Sequence, residues 1–215
     1  DGTLVPFAEQ PPMAIPGEEL LKILRHLSED LNTEIVLISG RDRADLQNWF
    51  GTLNIDLVAE HGVWIKEKNQ DWKMIKPLEN EWKRQILPIL ERYSARLPGS
   101  FVEDKDFSIA WHYRMADPEL SSIRAKELID DLETFTANLD VEVTRESKVV
   151  EVRNAGVNKG TAGLHFISKN DFDFIMAIGD DYTDEDLFKI LPETAYSIRV
   201  GMTSSYARFN LHNYK

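Results

Sequence analysis

Four short polar clusters in this chain of 215 residues carry side chains that bind phosphate or a divalent cation: Asp1-Gly2-Thr3, Ser39-Gly40-Arg41, Asn158-Lys159-Gly160 and Gly179-Asp180-Asp181. Asp180, Asp181 and Asp184 crowd carboxylates that repel one another unless a cation sits among them. Hard oxygen ligands suit Mg²⁺. The same residues also suit a plain helix start, with Thr183 or Asp184 as cap and acidic residues in the first turn. That reading accounts for Asp184 and Glu185 better than for two adjacent Asp after an apolar run. Ser39 and Arg41 offer a hydroxyl and a guanidinium to phosphate oxygens; alternatively Ser39 and Asp42 cap the next helix. Lys159 is either the neutraliser of a phosphate or carboxylate, or an exposed turn lysine. Asp1-Gly2-Thr3 alone is a turn signal.

Such clusters gain meaning when strands deliver them to one edge, since open α/β sheets bind ligands at the carboxyl ends of their strands. Residues 34–38, 57–59, 172–178 and 195–200 read as short strands. Residues 17–31, 42–50, 161–168 and 184–191 read as helices, with Asp42 a candidate cap. Ser39 and Asp180 each follow a strand, and Lys159 opens a helix, where anions are favoured. The middle of the chain differs. Residues 79–97 form an amphipathic helix pattern with Trp82, Ile86, Ile89, Leu90 and Tyr93 on its apolar face. Strand pairs follow at 101–103 with 107–113 and at 141–144 with 149–153, around a helix at 119–137. The order α-β-β-α-β-β predicts a small antiparallel sheet covered by two helices. The expected organisation is an α/β domain at 1–77 and 155–215, interrupted by an α+β insertion at 78–154.

Composition narrows the partners. The net charge of -12 argues against nucleic acid, whose binders carry a basic face. An anionic ligand must then be met by local cations. The absence of cysteine removes disulfides and thiolate metal sites. No apolar run approaches the roughly 20 residues that span a bilayer, and no secretory signal is visible, so the expectation is a cytoplasmic protein. The chain opens on Asp1 with neither a preceding strand nor a Met, which reads as a truncated start.

Taken in order, Asp-Gly-Thr-Leu, Ser-Gly-Arg, Asn-Lys-Gly and Gly-Asp-Asp-x-Thr-Asp-Glu-Asp resemble the four motifs of the haloacid dehalogenase superfamily. Ile38-Ser39-Gly40-Arg41-Asp42, Ala59-Glu60-His61-Gly62, Val150-Glu151-Val152-Arg153 and the run from Gly179 to Asp186 are similar to one branch, the trehalose-6-phosphate phosphatases. The resemblance covers essentially the whole chain. It implies a Rossmann-like core with an inserted α+β cap, and Mg²⁺-dependent hydrolysis of trehalose 6-phosphate to trehalose and phosphate through an aspartyl-phosphate. It places the attacking Asp two positions before Asp1, outside the sequence. It implies that Asp1 is the general acid/base and lends its carbonyl to the metal. Asp180 becomes a metal ligand supported by Asp181 and Asp184, and Ser39, Arg41 and Lys159 meet the phosphate. Glu103, Lys105, Arg114 and Glu151 face the sugar from the cap; Trp111 and His112 rank below them as ligands. His61 either orients the phosphate loop or packs against it. The tryptophans at 49, 64, 72 and 82 are expected to pack. The partner is a small sugar phosphate, with a trehalose-6-phosphate synthase domain or subunit beside it; nucleic acid and membrane are not expected. Phosphatases of other sugar phosphates, and a non-catalytic regulatory domain bound to a synthase, are the alternatives.

Overall fold

The structure, a computed structural model, describes residues 2–9 and 13–213. The chain divides into two compact units, Asp1–Lys76 with Val157–Lys215, and Pro77–Gly156.

The first unit begins with α1 (Glu18–Ser28) and β1 (Val36–Ile38), followed by α2 (Arg43–Phe50) and β2 (Asp56–Ala59). In α1, Glu18 and Glu19 occupy the first turn and Arg25 and His26 the last, which complements the helix dipole at both ends. Leu24 turns inward onto a core of Leu46, Phe50, Leu57 and Ala59. Asp42 caps α2, its carboxylate accepting the Asp45 N–H at 2.8 Å. β1 and β2 pair in parallel, Val36 opposite Asp56. A 3₁₀ turn at Glu60–Gly62 then reverses the chain into β3 (Trp64–Lys66) and β4 (Lys73–Met74). These two strands have no counterpart in the sequence reading, because three-residue and two-residue strands are too short to show a period. Trp49, Trp64 and Trp72 pack around this core.

The second unit follows the order α-β-β-α-β-β: α3 (Lys83–Arg96), β5 (Phe101–Asp104), β6 (Ser108–His112), α4 (Pro118–Thr136), β7 (Val141–Glu146) and β8 (Val149–Asn154). Helix α3 starts later than its apolar pattern suggests. Trp82 sits at the cap position, its indole N–H held by the Glu79 carbonyl at 3.1 Å. The sheet is antiparallel with order β5-β6-β8-β7. Alternation along each strand gives it two unlike faces. Ile109, Trp111, Val150 and Val152 enter the core with Ile86 and Leu90 of α3 and Leu128 and Leu132 of α4. Glu103, Ala110, Glu151 and Thr144 are aligned across the four strands on the opposite face.

The chain returns to the first unit through α5 (Lys159–Ile167), β9 (Met176–Gly179), α6 (Asp184–Ile190), β10 (Tyr196–Val200) and β11 (Phe209–Leu211). Asn158 and Thr161 form a reciprocal capping box at the start of α5, which fixes the direction in which Lys159 leaves the backbone. Strands β11, β10 and β9 form a parallel sheet. The expected strand at 172–178 pairs only from Met176, and Phe174 ahead of it lays its ring near Tyr196, centroids 5.2 Å apart. Among the described residues no helix is long and apolar enough to cross a membrane.

Candidate active site

The acidic cluster at the end of β9 is held together by Asp184. Its Oδ2 accepts the backbone N–H of Asp180 at 2.8 Å and of Asp181 at 2.9 Å, and its Oδ1 accepts Lys159 Nζ at 2.7 Å. Both carboxylate oxygens of a residue only 6% exposed are thus bonded. The Gly179 backbone makes this geometry accessible, since a Cβ there would run into the Asp184 carboxylate. Burial works against ionisation of Asp184, but the Lys159 charge and these hydrogen bonds outweigh it and hold its carboxyl below the ordinary carboxylate range.

Asp180 shows the opposite balance. Burial and the neighbouring Asp184 charge raise its carboxyl above the usual value, although the Thr3 hydroxyl donates to it. Gly2, with φ +77°, brings its backbone so close that a Cβ would overlap the Asp180 carboxylate. A buried oxygen donor whose negative charge is, on balance, disfavoured by its surroundings fits a hard divalent cation. The fit is better for Asp180 than for Asp184, whose oxygens are engaged. Asp181 accepts its neighbour's N–H, that of Tyr182, at 2.7 Å. Asp1 lies outside the described residues.

The Ser39 loop belongs to the same unit. Ser39 Oγ accepts the Arg41 N–H at 3.2 Å, so its own hydroxyl proton is available to a phosphate oxygen. The Arg41 guanidinium runs along α2, 3.1 Å from Asp45 and 4.7 Å above the Trp49 ring. The 3₁₀ turn fastens this loop: Glu60 N–H donates to the Arg41 carbonyl and His61 N–H to the Ser39 carbonyl, each at 2.9 Å. Glu60, His61 and Gly62 all have positive φ, 45°, 57° and 130°, a strained run of the kind that surrounding structure must hold in place. The His61 ring lies against Gly40, and a Cβ on Gly62 would stand 3.1 Å from the Asn158 carbonyl. An unbroken series of contacts therefore joins Thr3, Asp180, Asp184, Lys159, the 60–62 turn and Ser39 within one unit.

In the second unit Glu151, 1% exposed, accepts Lys105 Nζ at 3.0 Å and the Ser108 hydroxyl at 2.9 Å on the same oxygen, Oε1. Glu103 Oε2 lies 3.9 Å from Lys105 Nζ and 2.7 Å from His112 Nε2. Burial disfavours the charged form of Glu103, but the His112 hydrogen bond and the Lys105 charge prevail and lower its carboxyl. The Lys105 ammonium is pushed upward: burial opposes its charge, and Glu151 and Glu103 more than restore it. Arg114 stands beyond the end of β6, where its guanidinium donates to the Ser147 carbonyl at 3.0 Å.

Residues 1–214 match the profile of the trehalose-phosphatase family. The chain belongs to that family. A bifunctional trehalose-6-phosphate synthase/phosphatase from Thermoproteus tenax is 40% identical over the whole chain, which spans 29% of that protein. A trehalose-phosphatase from Saccharomyces cerevisiae is 36% identical over 89% of the chain and 24% of its own length. The chain thus spans under a third of the curated relatives it matches. Among solved structures, the C-terminal domain of the trehalose-6-phosphate phosphatase of C. albicans superposes with a TM-score of 0.94 at 32% identity, covering 99% of this chain and 85% of that one. For this member of the trehalose-phosphatase family, the sequence reading missed the Thr3–Asp180, Ser108–Glu151 and His112–Glu103 bonds. Ser108 and His112 share the two-residue period of β6 with Ala110, and that alternation was the available signal. The Thr3 contact had none, because it joins residues 177 apart.

Proposed function

We propose that this chain carries a phosphatase activity on trehalose 6-phosphate, releasing trehalose and inorganic phosphate with Mg²⁺ in the cytoplasm, and that it works beside a synthase domain or subunit. The two units then have separate roles, residues 1–77 and 155–215 as the catalytic core and residues 78–154 as a sugar-recognising cap. The observation that carries the reading is the buried Lys159–Asp184 pair, whose carboxylate also fixes the backbone that presents Asp180.

In this reading Lys159, the Ser39 hydroxyl and Arg41 hold the phosphoryl oxygens. A phosphate competes with Asp45 for the Arg41 guanidinium. Asp180 is the carboxylate that holds Mg²⁺, with Asp1 and Asp181 beside it and Asp184 acting through its hydrogen bonds. When bound, the cation draws negative charge off the phosphoryl oxygens, which is where charge accumulates in transfer. Lys159 acts in the same direction, and Asp184 keeps its ammonium in place and charged. The attack on phosphorus falls to the Asp that the family resemblance places two positions before Asp1. Asp1 gives a proton to the departing sugar oxygen and afterwards takes one from water. Glu103, Lys105, Arg114 and Glu151 supply the donors and acceptors that fix sugar hydroxyls.

The test is phosphate release by the full-length protein from a panel of sugar phosphates. Trehalose 6-phosphate is expected to exceed glucose 6-phosphate and sucrose 6-phosphate in kcat/KM by about a hundredfold, the scale that several matched hydrogen bonds provide. Equal turnover of trehalose 6-phosphate and glucose 6-phosphate overturns the reading.

A further inference from the structure

The register of β5 on β6 places Phe101 opposite His112 and Glu103 opposite Ala110. His112 and Glu103 are therefore diagonal neighbours on one face of the sheet, within reach of a long side chain. Two contacts fix the His112 ring. Its plane lies on Phe101, centroids 4.7 Å apart and planes 9° from parallel. Its rotation is set by the 2.7 Å approach of Nε2 to Glu103 Oε2.

We infer that His112 is a positioning residue for sugar recognition, holding one oxygen of Glu103 so that the other faces a sugar hydroxyl in a fixed direction. This rests on the function proposed above. His112 and Lys105 both address Oε2, and Oε1 accepts no hydrogen bond among the described residues. Opposite Glu103 the side chain is Ala110, and beyond it Glu151 in the same row. Both carboxylates are restrained, Glu151 by Ser108 and Lys105 and Glu103 by His112. A hydroxyl ligand needs an acceptor that is already oriented, because a side chain that must be immobilised on binding costs affinity. A simple packing role for His112 requires only the flat ring on Phe101. The short bond to a carboxylate is the additional feature that positioning explains.

The experiment compares H112F, which keeps a flat ring and loses the donor, with H112Q, whose amide nitrogen reaches the place of Nε2, in the full-length protein. For trehalose 6-phosphate, H112F is expected to raise KM about tenfold while kcat changes less than about threefold. H112Q recovers most of that loss. H112F added to E103Q raises KM by less than about twofold more, since the two residues act as one. An unchanged KM in H112F, no recovery in H112Q, or full additivity with E103Q overturns the inference. A second readout is independent of substrate: the Glu103 carboxyl, followed by carbon-13 NMR, should titrate higher without the His112 bond, which lowers it in the folded protein. An unmoved midpoint also overturns it. A wild-type protein without preference for trehalose 6-phosphate would overturn the proposed function, while the carboxyl titration would still decide whether His112 sets Glu103.

Discussion

Lys159 and Asp184 meet at 2.7 Å although they are 25 residues apart and each opens its own helix. The pair is buried at both ends, with side chains 11% and 9% exposed. Removing one charge from such a pair strands the other and costs about 3–5 kcal/mol. D184N is therefore expected to lose about 3 kcal/mol in denaturant unfolding and to lose activity as well. A D184N protein as stable as the wild type would mean that the Lys159 charge does not depend on Asp184 for its compensation.

Asp180 is expected to behave differently. Its folded carboxyl value is raised, so its ionisation opposes folding once the pH exceeds the unfolded value of about 3.9. D180N should leave the metal-free protein at least as stable as the wild type at neutral pH. The same change should weaken Mg²⁺ binding about tenfold or more and lower the rate with it. Thermal melts with and without Mg²⁺ separate the two effects, and an unaltered Mg²⁺ response would remove Asp180 from the ligand set.

Gly40 has no room for a side chain because His61 occupies the space. G40A is expected to displace the Ser39–Arg41 loop, cost about 1–3 kcal/mol as overpacking does, and reduce turnover. Replacing His61 with Ala in the same protein should return part of the lost stability. A double variant no better than G40A would show that the strain lies in the backbone and not against the imidazole.

Acid should weaken the second unit through Glu103. Its carboxyl is lowered in the folded state, so the stability it contributes is complete above the unfolded value of about 4.3. That contribution disappears as the pH falls through the lower folded value. The denaturant midpoint should begin to drop as the pH approaches about 4.3 and keep falling through the lowered folded value, and E103Q should flatten the slope. An identical slope in E103Q would assign the acid sensitivity to other carboxylates.

What could be read from the sequence depended on how local the cause was. Ser39, Lys159 and Asp180 stand at the ends of a strand or the start of a helix, and apolar runs or caps a few residues away announce their positions. The order α-β-β-α-β-β likewise announced a small antiparallel sheet covered by two helices. The bracing role of Asp184 was hidden because it needs the missing Cβ of Gly179 and a lysine from another helix. The 60–62 turn was recognised as a motif, but three consecutive positive φ values have no signature in residue type when two of the residues are Glu and His. The His112–Glu103 bond depends on the length of the turn between β5 and β6, which decides the diagonal, and periodicity does not encode that length.

The two faces of the β5-β6-β8-β7 sheet assign a polar row and an apolar core to alternating positions of the same strands. Positions 103, 110 and 151 share one face, while Trp111, Val150 and Val152 keep the unit folded from the other. An insertion of one residue in the turn at 105–107 would exchange the faces and abolish both at once. The length of that single hairpin turn therefore sets which side chains share a face, whatever residues compose it.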